Sequence, residues 1–209
     1  RPPARERRLV DGLLRLSDRL RRLVDVTGRA ACWLILPMIL VTVWDVVSRK
    51  SPALRDWGLA VSGGLTNSTI LQELEWHLHT ALFALCLGWA YVKNAHVRVD
   101  LILERLAPRA RAWIELLGCL LFMLPYTALV IWFAVDFVWS SWVNTEASVS
   151  LIGIPHRWMI KSVLLLGLVL AFLAGLGILL RLVAHLVGGR RVDLWVVPSP
   201  AADGRSTPG

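Results

Sequence analysis

Charge is scarce in this chain. Of its 209 residues, 18% are Asp, Glu, Lys or Arg, against 56% hydrophobic, and the mean hydropathy is +0.59. A soluble domain of this size cannot carry that apolar load on its surface. The common catalytic and nucleotide-binding signatures are missing as well: there is no GxGxxG, no P-loop, no HExxH and no Gly-x-Ser-x-Gly. An enzyme is therefore not expected, and no cofactor is implied. The three cysteines, Cys32, Cys86 and Cys119, lie in different apolar runs without a CxxC pair. They read as small buried hydrophobes. No secretory signal is expected either, because the basic stretch before the first apolar run is too long and no small-residue cleavage site follows it.

What the chain does have is four apolar runs of bilayer-crossing length. They cover about 30–48, 74–92, 113–142 and 158–180. Lipid offers no partner to open backbone groups, so these segments are expected to be helices. The short alternating segments of a membrane barrel are absent. The fold class expected is an all-α membrane protein with four transmembrane helices.

Orientation follows from the flanks. The tail to Arg29 holds nine Lys and Arg, the loop from Lys93 to Arg111 five, and the segment from Arg181 four. The opposite side holds Arg49, Lys50, Arg55, Arg157 and Lys161. Eighteen against five predicts that both termini are cytoplasmic. The net charge of +8 sits beside apolar spans, so it suits an anionic lipid bilayer, and no nucleic-acid partner is expected. Tryptophans mark the span ends: Trp44, Trp57, Trp76, Trp139, Trp142 and Trp158 near the outer interface, Trp33, Trp89 and Trp113 near the inner one.

Three domains result. Residues 1–29 form a basic amphipathic cytoplasmic helix, in which Leu9, Leu13, Leu16, Leu20 and Leu23 recur every three or four residues among arginines. That pattern suits a helix lying on the inner leaflet, or a coiled-coil seam. Residues 30–186 form the transmembrane domain. Residues 187–209, polar and proline-rich toward the end, are expected to be disordered. Between the first two spans, 54–61 is expected to form a short interfacial helix. The Ser68 or Thr69 hydroxyl is expected to cap the second span, with Glu73 in its first turn. Pro37 and Pro125 are expected to kink the first and third spans.

Ionisable residues at membrane depth are candidates for function. Asp45, Glu73, Glu75 and Asp136 map to the outer ends of their spans, level with His156, Arg157 and Lys161. Three readings stay open: a cluster that fastens helices or grips a partner, a cation or proton path, and separate groups reaching interfacial water. A path needs acids at several depths, and the mid-depth is empty of them. Haem ligation needs two histidines at one depth on facing spans. His77 or His79 with His156 is geometrically allowed, whereas His96 and His185 lie on the cytoplasmic side. In the fourth span Gly167, Ala171 and Gly175 form a small-xxx-small stripe that admits another helix, internal or from a partner.

The segment 72–103 resembles the small permease subunits of TRAP transporters, the DctQ-type family. Two motifs carry the likeness, about one helix apart: Gln72-Glu73-Leu74-Glu75-Trp76 and His96-Val97-Arg98-Val99-Asp100. It extends more loosely to 45–49 and 154–158, and so covers most of 30–186. The long outer loop and both tails have no clear counterpart. The resemblance implies a small membrane subunit in the bacterial inner membrane, working beside a large DctM-type permease subunit and a periplasmic solute-binding protein. The large subunit would carry the substrate and sodium sites for an organic anion such as a carboxylate. The small one would be its scaffold. Glu73, Glu75, Trp76, His96, Arg98 and Asp100 then become subunit-interface or structural residues. Arg98 and Asp100 would pair or cap the approach to the third span; a plain positive anchor is the alternative. The rival class is a cytochrome b-like haem-binding anchor of an oxidoreductase. Reduced membranes containing the protein decide between them: a transporter subunit predicts no Soret band from this chain, a haem anchor predicts one.

Overall fold

The structure is a computed structural model that describes residues 4–95 and 106–188. The described residues form helices α1 (Ala4–Cys32), α2 (Ile35–Lys50), α3 (Pro52–Ser62), α4 (Ser68–Val92), α5 (Pro108–Gly118), α6 (Leu124–Val143) and α7 (Trp158–Gly188). A π-helical turn, Cys119–Met123, joins α5 to α6. Four helical columns result: α1 with α2, α4, α5 with α6, and α7.

The two composite columns break for the same reason. Proline has no amide hydrogen, and its ring crowds the carbonyl four residues back. That carbonyl belongs to Trp33 for Pro37 and to Leu121 for Pro125. In the first column the chain tightens there, with the Leu36 N–H donating to the Trp33 carbonyl at 3.2 Å. In the second it widens into the π turn. Both prolines thus interrupt their columns, each one turn ahead of the ring.

Contacts show that the columns alternate in direction. Gly28 of α1 packs on Trp89 of α4 and Val24 on Val92, an antiparallel pairing. Ala84 and Gly88 of α4 meet Gly167 and Leu170–Ala171 of α7, a parallel one. Met123 meets Gly175 while Trp142 meets Trp158, so α6 runs against α7. At the α4–α7 seam the backbones nearly touch. A methyl group on Gly167 would lie 2.5 Å from the Ala84 carbonyl oxygen, and one on Gly88 would lie 2.8 Å from that of Leu170. Small residues on both helices make this approach possible. Gly175 serves a different neighbour, the Met123 side chain of the π turn.

Three stretches of the described residues are long and apolar enough to cross a membrane: Arg8–Lys50, Arg109–Val143 and Trp158–Val187. The expected second span, α4, has the length, with 25 residues, but Glu73, Glu75, His77 and His79 keep it off that list by composition. It nonetheless lies inside the bundle, with α1, α2 and α7 packed around it, while α7 touches α1, α4, α5 and α6.

The first helix departs from its expected role in two ways. It runs through position 29 to Cys32, so no boundary separates it from the bundle. It also packs by a different face. Val10, Ser17, Val24 and Ala31, seven residues apart, are buried along α7 and α4, while Leu9, Leu16 and Leu23 stay exposed. Its polar residues make the bonds: Ser17 Oγ donates to the Gly177 carbonyl at 2.7 Å, and Arg181 bonds both Ser17 and Asp18. Farther along, Asp25 accepts from Trp89 Nε1 at 2.9 Å and pairs with Lys93 at 3.1 Å and Arg29 at 2.9 Å. Leucine periodicity marked the helix, and small and polar side chains decided what it packs on.

The interfacial helix expected at 54–61 is α3, with Pro52 in its first turn and left-handed Gly63 at its end. The cap of α4 is Asn67, whose side chain accepts the Thr69 N–H at 3.0 Å, and not Ser68 or Thr69. The tail beyond residue 188 lies outside the described residues.

The seam is testable. Gly167→Ala and Gly88→Ala each press a methyl against backbone, and overpacking of this kind costs about 1–3 kcal/mol. Both should lower the thermal midpoint of the purified protein in detergent. Gly12→Ala, where no atom lies within 4 Å, should not.

Candidate functional site

The ionisable residues at the Trp142–Trp158 end of the bundle fall into three linked pairs. Asp45, on α2, is 1% exposed. A carboxylate that deeply buried needs hydrogen bonds and a cation to persist as a charge. Both are present: Ser68 Oγ donates to it at 2.7 Å, and Arg49, one turn along α2, bonds it directly. Arg49 also faces the Gln72 amide. Asp45 therefore ties α2 to the first turn of α4. Trp44 and Trp57 lie 6.0 Å apart, and Gly58 lies against the Trp44 ring, which folds α3 back onto α2.

The second pair centres on Glu73 of α4, which is 9% exposed. Its carboxylate accepts the Ile154 N–H at 2.5 Å and the Ser148 hydroxyl, with the Arg157 guanidinium 3.7 Å away. One side chain thus gathers the whole connection between α6 and α7. Gly153 makes this possible, since a methyl there would strike both Ser148 and Glu73. The third pair joins Glu146 of that connection to Lys161 of α7, and the Glu146 carbonyl accepts the Arg157 N–H at 3.0 Å. Lys161 holds the Glu146 carboxyl below the usual carboxylate range, with Ser141 adding to the effect.

The remaining sequence candidates divide. Trp76 is partly exposed, with Arg157 5.8 Å above its ring and the His77 ring 3.9 Å from it. His77 uses Nδ1 on the Glu73 carbonyl at 2.6 Å, while His79 is exposed on another side of α4. Glu75 lies within electrostatic reach of Arg49, and one of its carboxylate oxygens is buried without a bond. Asp136 does not join the group. It was expected among the acids of this level, but it sits on the exposed side of α6. His96, Arg98 and Asp100 lie outside the described residues. Sequence reasoning missed Asn67, Ser148 and Gly153, and the Asp25–Trp89–Lys93 group. The only signal for the turn residues was the Ser-Leu-Ile-Gly-Ile-Pro stretch between two spans.

Chemically, three acids here are answered by cations of the same chain: buried Asp45 by Arg49, buried Glu73 by Arg157, and the partly exposed Glu146 by Lys161. All lie at one end of the columns. Such a set fastens helix ends. A conducting path would instead link groups at successive depths. Beside the set, an apolar cavity of about 390 Å³ opens between α6 and α7, lined by Val135, Trp139, Trp142, Trp158 and Leu165.

Glu73→Ala leaves the Ile154 amide and Arg157 without their acceptor, a loss of about 2–4 kcal/mol. Faster proteolysis within 144–157 should accompany it. The Glu146 contribution has a definite sign with pH. Its folded value lies below the unfolded 4.5, so the stabilisation is present above 4.5 and is lost as pH falls through the folded value. The gap in thermal midpoint between wild type and Glu146→Gln should be open at neutral pH and close on acidification below 4.5.

Residues 38–185 match the sequence profile of the family described as "Tripartite ATP-independent periplasmic transporters, DctQ component". No curated protein and no solved structure matches the chain.

Proposed function

The chain belongs to the DctQ component family of tripartite ATP-independent periplasmic transporters, and we propose that it serves there as the scaffold of a large permease subunit. The family is a transporter component and not an enzyme family, and the apolar helices suit a multi-pass membrane protein. The haem-anchor alternative has no support from the family, and His77 is already engaged by backbone and by Trp76.

One observation supports the scaffold reading: Asp45, Glu73 and Glu146 at the Trp142–Trp158 end are paired with cations of the same chain, tying helix ends together. Transporter substrate sites lie near mid-depth and use polar side chains there. Here the mid-depth seam is Ala84, Gly88, Gly167 and Ala171, built for backbone contact. Substrate and coupling-ion sites then belong to a DctM-type large subunit, fed by a periplasmic solute-binding protein, in sodium-coupled uptake of an organic anion such as a carboxylate. The protein sits in the bacterial inner membrane with both termini cytoplasmic. In this reading α4 is the second of four spans. Its polar residues are tolerable because neighbouring helices surround it and Glu73 is bonded internally. The bare leucine side of α1, set among arginines, suits the inner leaflet. Glu73, Glu75 and Trp76 at one end of α4, and His96, Arg98 and Asp100 beyond the other, hold or present the surface the partner uses.

Affinity purification of the full chain from its native membranes should bring down one much larger multi-span protein. Recovery of a stable, monodisperse small protein with no such partner would overturn the reading.

A further inference from the structure

The third column is joined to the bundle by a narrow seam. The buried residues of α6 are Thr127, Ala134 and Ser141, seven apart, all turned to one side. Asp136 follows Ala134 by two residues, about 200° around the helix, so it points away from the bundle. On the same outward face Leu129, Trp132, Trp139 and Val143 are all more than half exposed. No hydrogen bond or ion pair joins Asp136 to any described residue.

Depth makes this placement costly. Trp142 meets Trp158 edge to face at 4.6 Å, which marks the interfacial belt. Asp136 lies six residues, about 9 Å along the axis, inward of Trp142, and one turn inward of Trp139 on its own face. An aspartate side chain is shorter than one helical turn, so it does not reach back past Trp139 to headgroup water as lysine or arginine would. The cation at its level, Lys161, is held by Glu146 and lies 3.7 Å from the Phe137 ring centre. A carboxylate in that position faces hydrocarbon unless another protein covers it.

The geometry points to the outward face of α6, centred on Asp136, as the docking surface for a helix of the large permease subunit that presents an arginine, a lysine or another hydrogen-bond donor at that depth. This rests on the transporter reading above and adds to it which face is used and what the partner must carry. Trp132 and Trp139 supply the aromatic anchors such interfaces favour. The cavity between α6 and α7, beside Trp139, receives a side chain of the incoming helix. The bare face of α2, with Leu40, Val43 and Val46, carries no charge until Lys50 in its last turn and suits lipid.

The test is photo-crosslinking in membranes that hold the full chain and its large subunit. A photoreactive phenylalanine analogue replaces Trp132 on α6 or Leu40 on α2. Position 132 should give the crosslink to the large subunit. In parallel, Asp136→Leu should weaken retention of the large subunit on the tagged chain roughly tenfold, the loss of one charge-assisted hydrogen bond. Asp136→Asn should weaken it less. The isolated chain should keep its thermal midpoint in both variants, because Asp136 bonds to none of the described residues. Crosslinks to the large subunit from position 40 alone, crosslinks from 132 to lipid or to a second copy, or undiminished retention by Asp136→Leu would overturn the docking surface and leave the scaffold role standing. Failure of the unsubstituted chain to retain any large subunit would overturn both.

Discussion

The near-contact of two backbones, α4 against α7, is the constraint on which the other features depend. Apolar side chains gain little by leaving lipid for each other, so helices in a bilayer associate through close packing and polar bonds. Ala84 and Gly88 facing Gly167 and Ala171 bring the two axes together without intervening side chains. With α4 held there, its first turn reaches Asp45 on α2 through Ser68, and Glu73 reaches the 144–157 connection. Its last turn reaches Asp25 on α1 through Trp89 and Lys93. Moving α4 outward by the width of one methyl would disturb both ends.

The polar groups described so far lie at the two ends of the columns, and the seam between them is apolar and small. At one end three acids hold three cations; at the other Asp25 and Asp18 on α1 hold Lys93, Arg29 and Arg181. A bundle fastened at both ends and closely packed in the middle resists relative sliding of its helices. That property suits a subunit that steadies a moving neighbour, which is the role proposed here. Asp136 makes no hydrogen bond or ion pair among the described residues, and its place on the outward face of α6 underlies the docking surface proposed above.

Much of the fold was legible in the chain. Long apolar runs located the helices of all four columns, Pro37 and Pro125 located their breaks, and Pro52 with Gly63 bounded α3. The family likeness came from residues 72–76 and 96–100, of which only the first set is described. The misreadings share a cause. The leucine pattern of α1 was read for the leaflet alone, and it did not show that Val10, Ser17, Val24 and Ala31 pack the same helix on the bundle. Ser68 looked like a cap, yet it serves Asp45 while Asn67 caps. Asp136 looked like a member of the acidic group, because its depth is readable from sequence and its direction around the helix is not. Periodicity reports one helix at a time, whereas packing is settled between two.

The sequence by itself determined that this is a helical membrane protein of the DctQ family, because hydrocarbon length, flanking charge and two short motifs are local properties of the chain. Only the tertiary structure decided which ion pairs form, which face of α1 is buried and which way Asp136 points. Those outcomes depend on how closely one backbone can approach another, and that is set jointly by small residues far apart in the chain, such as Gly88 and Ala171.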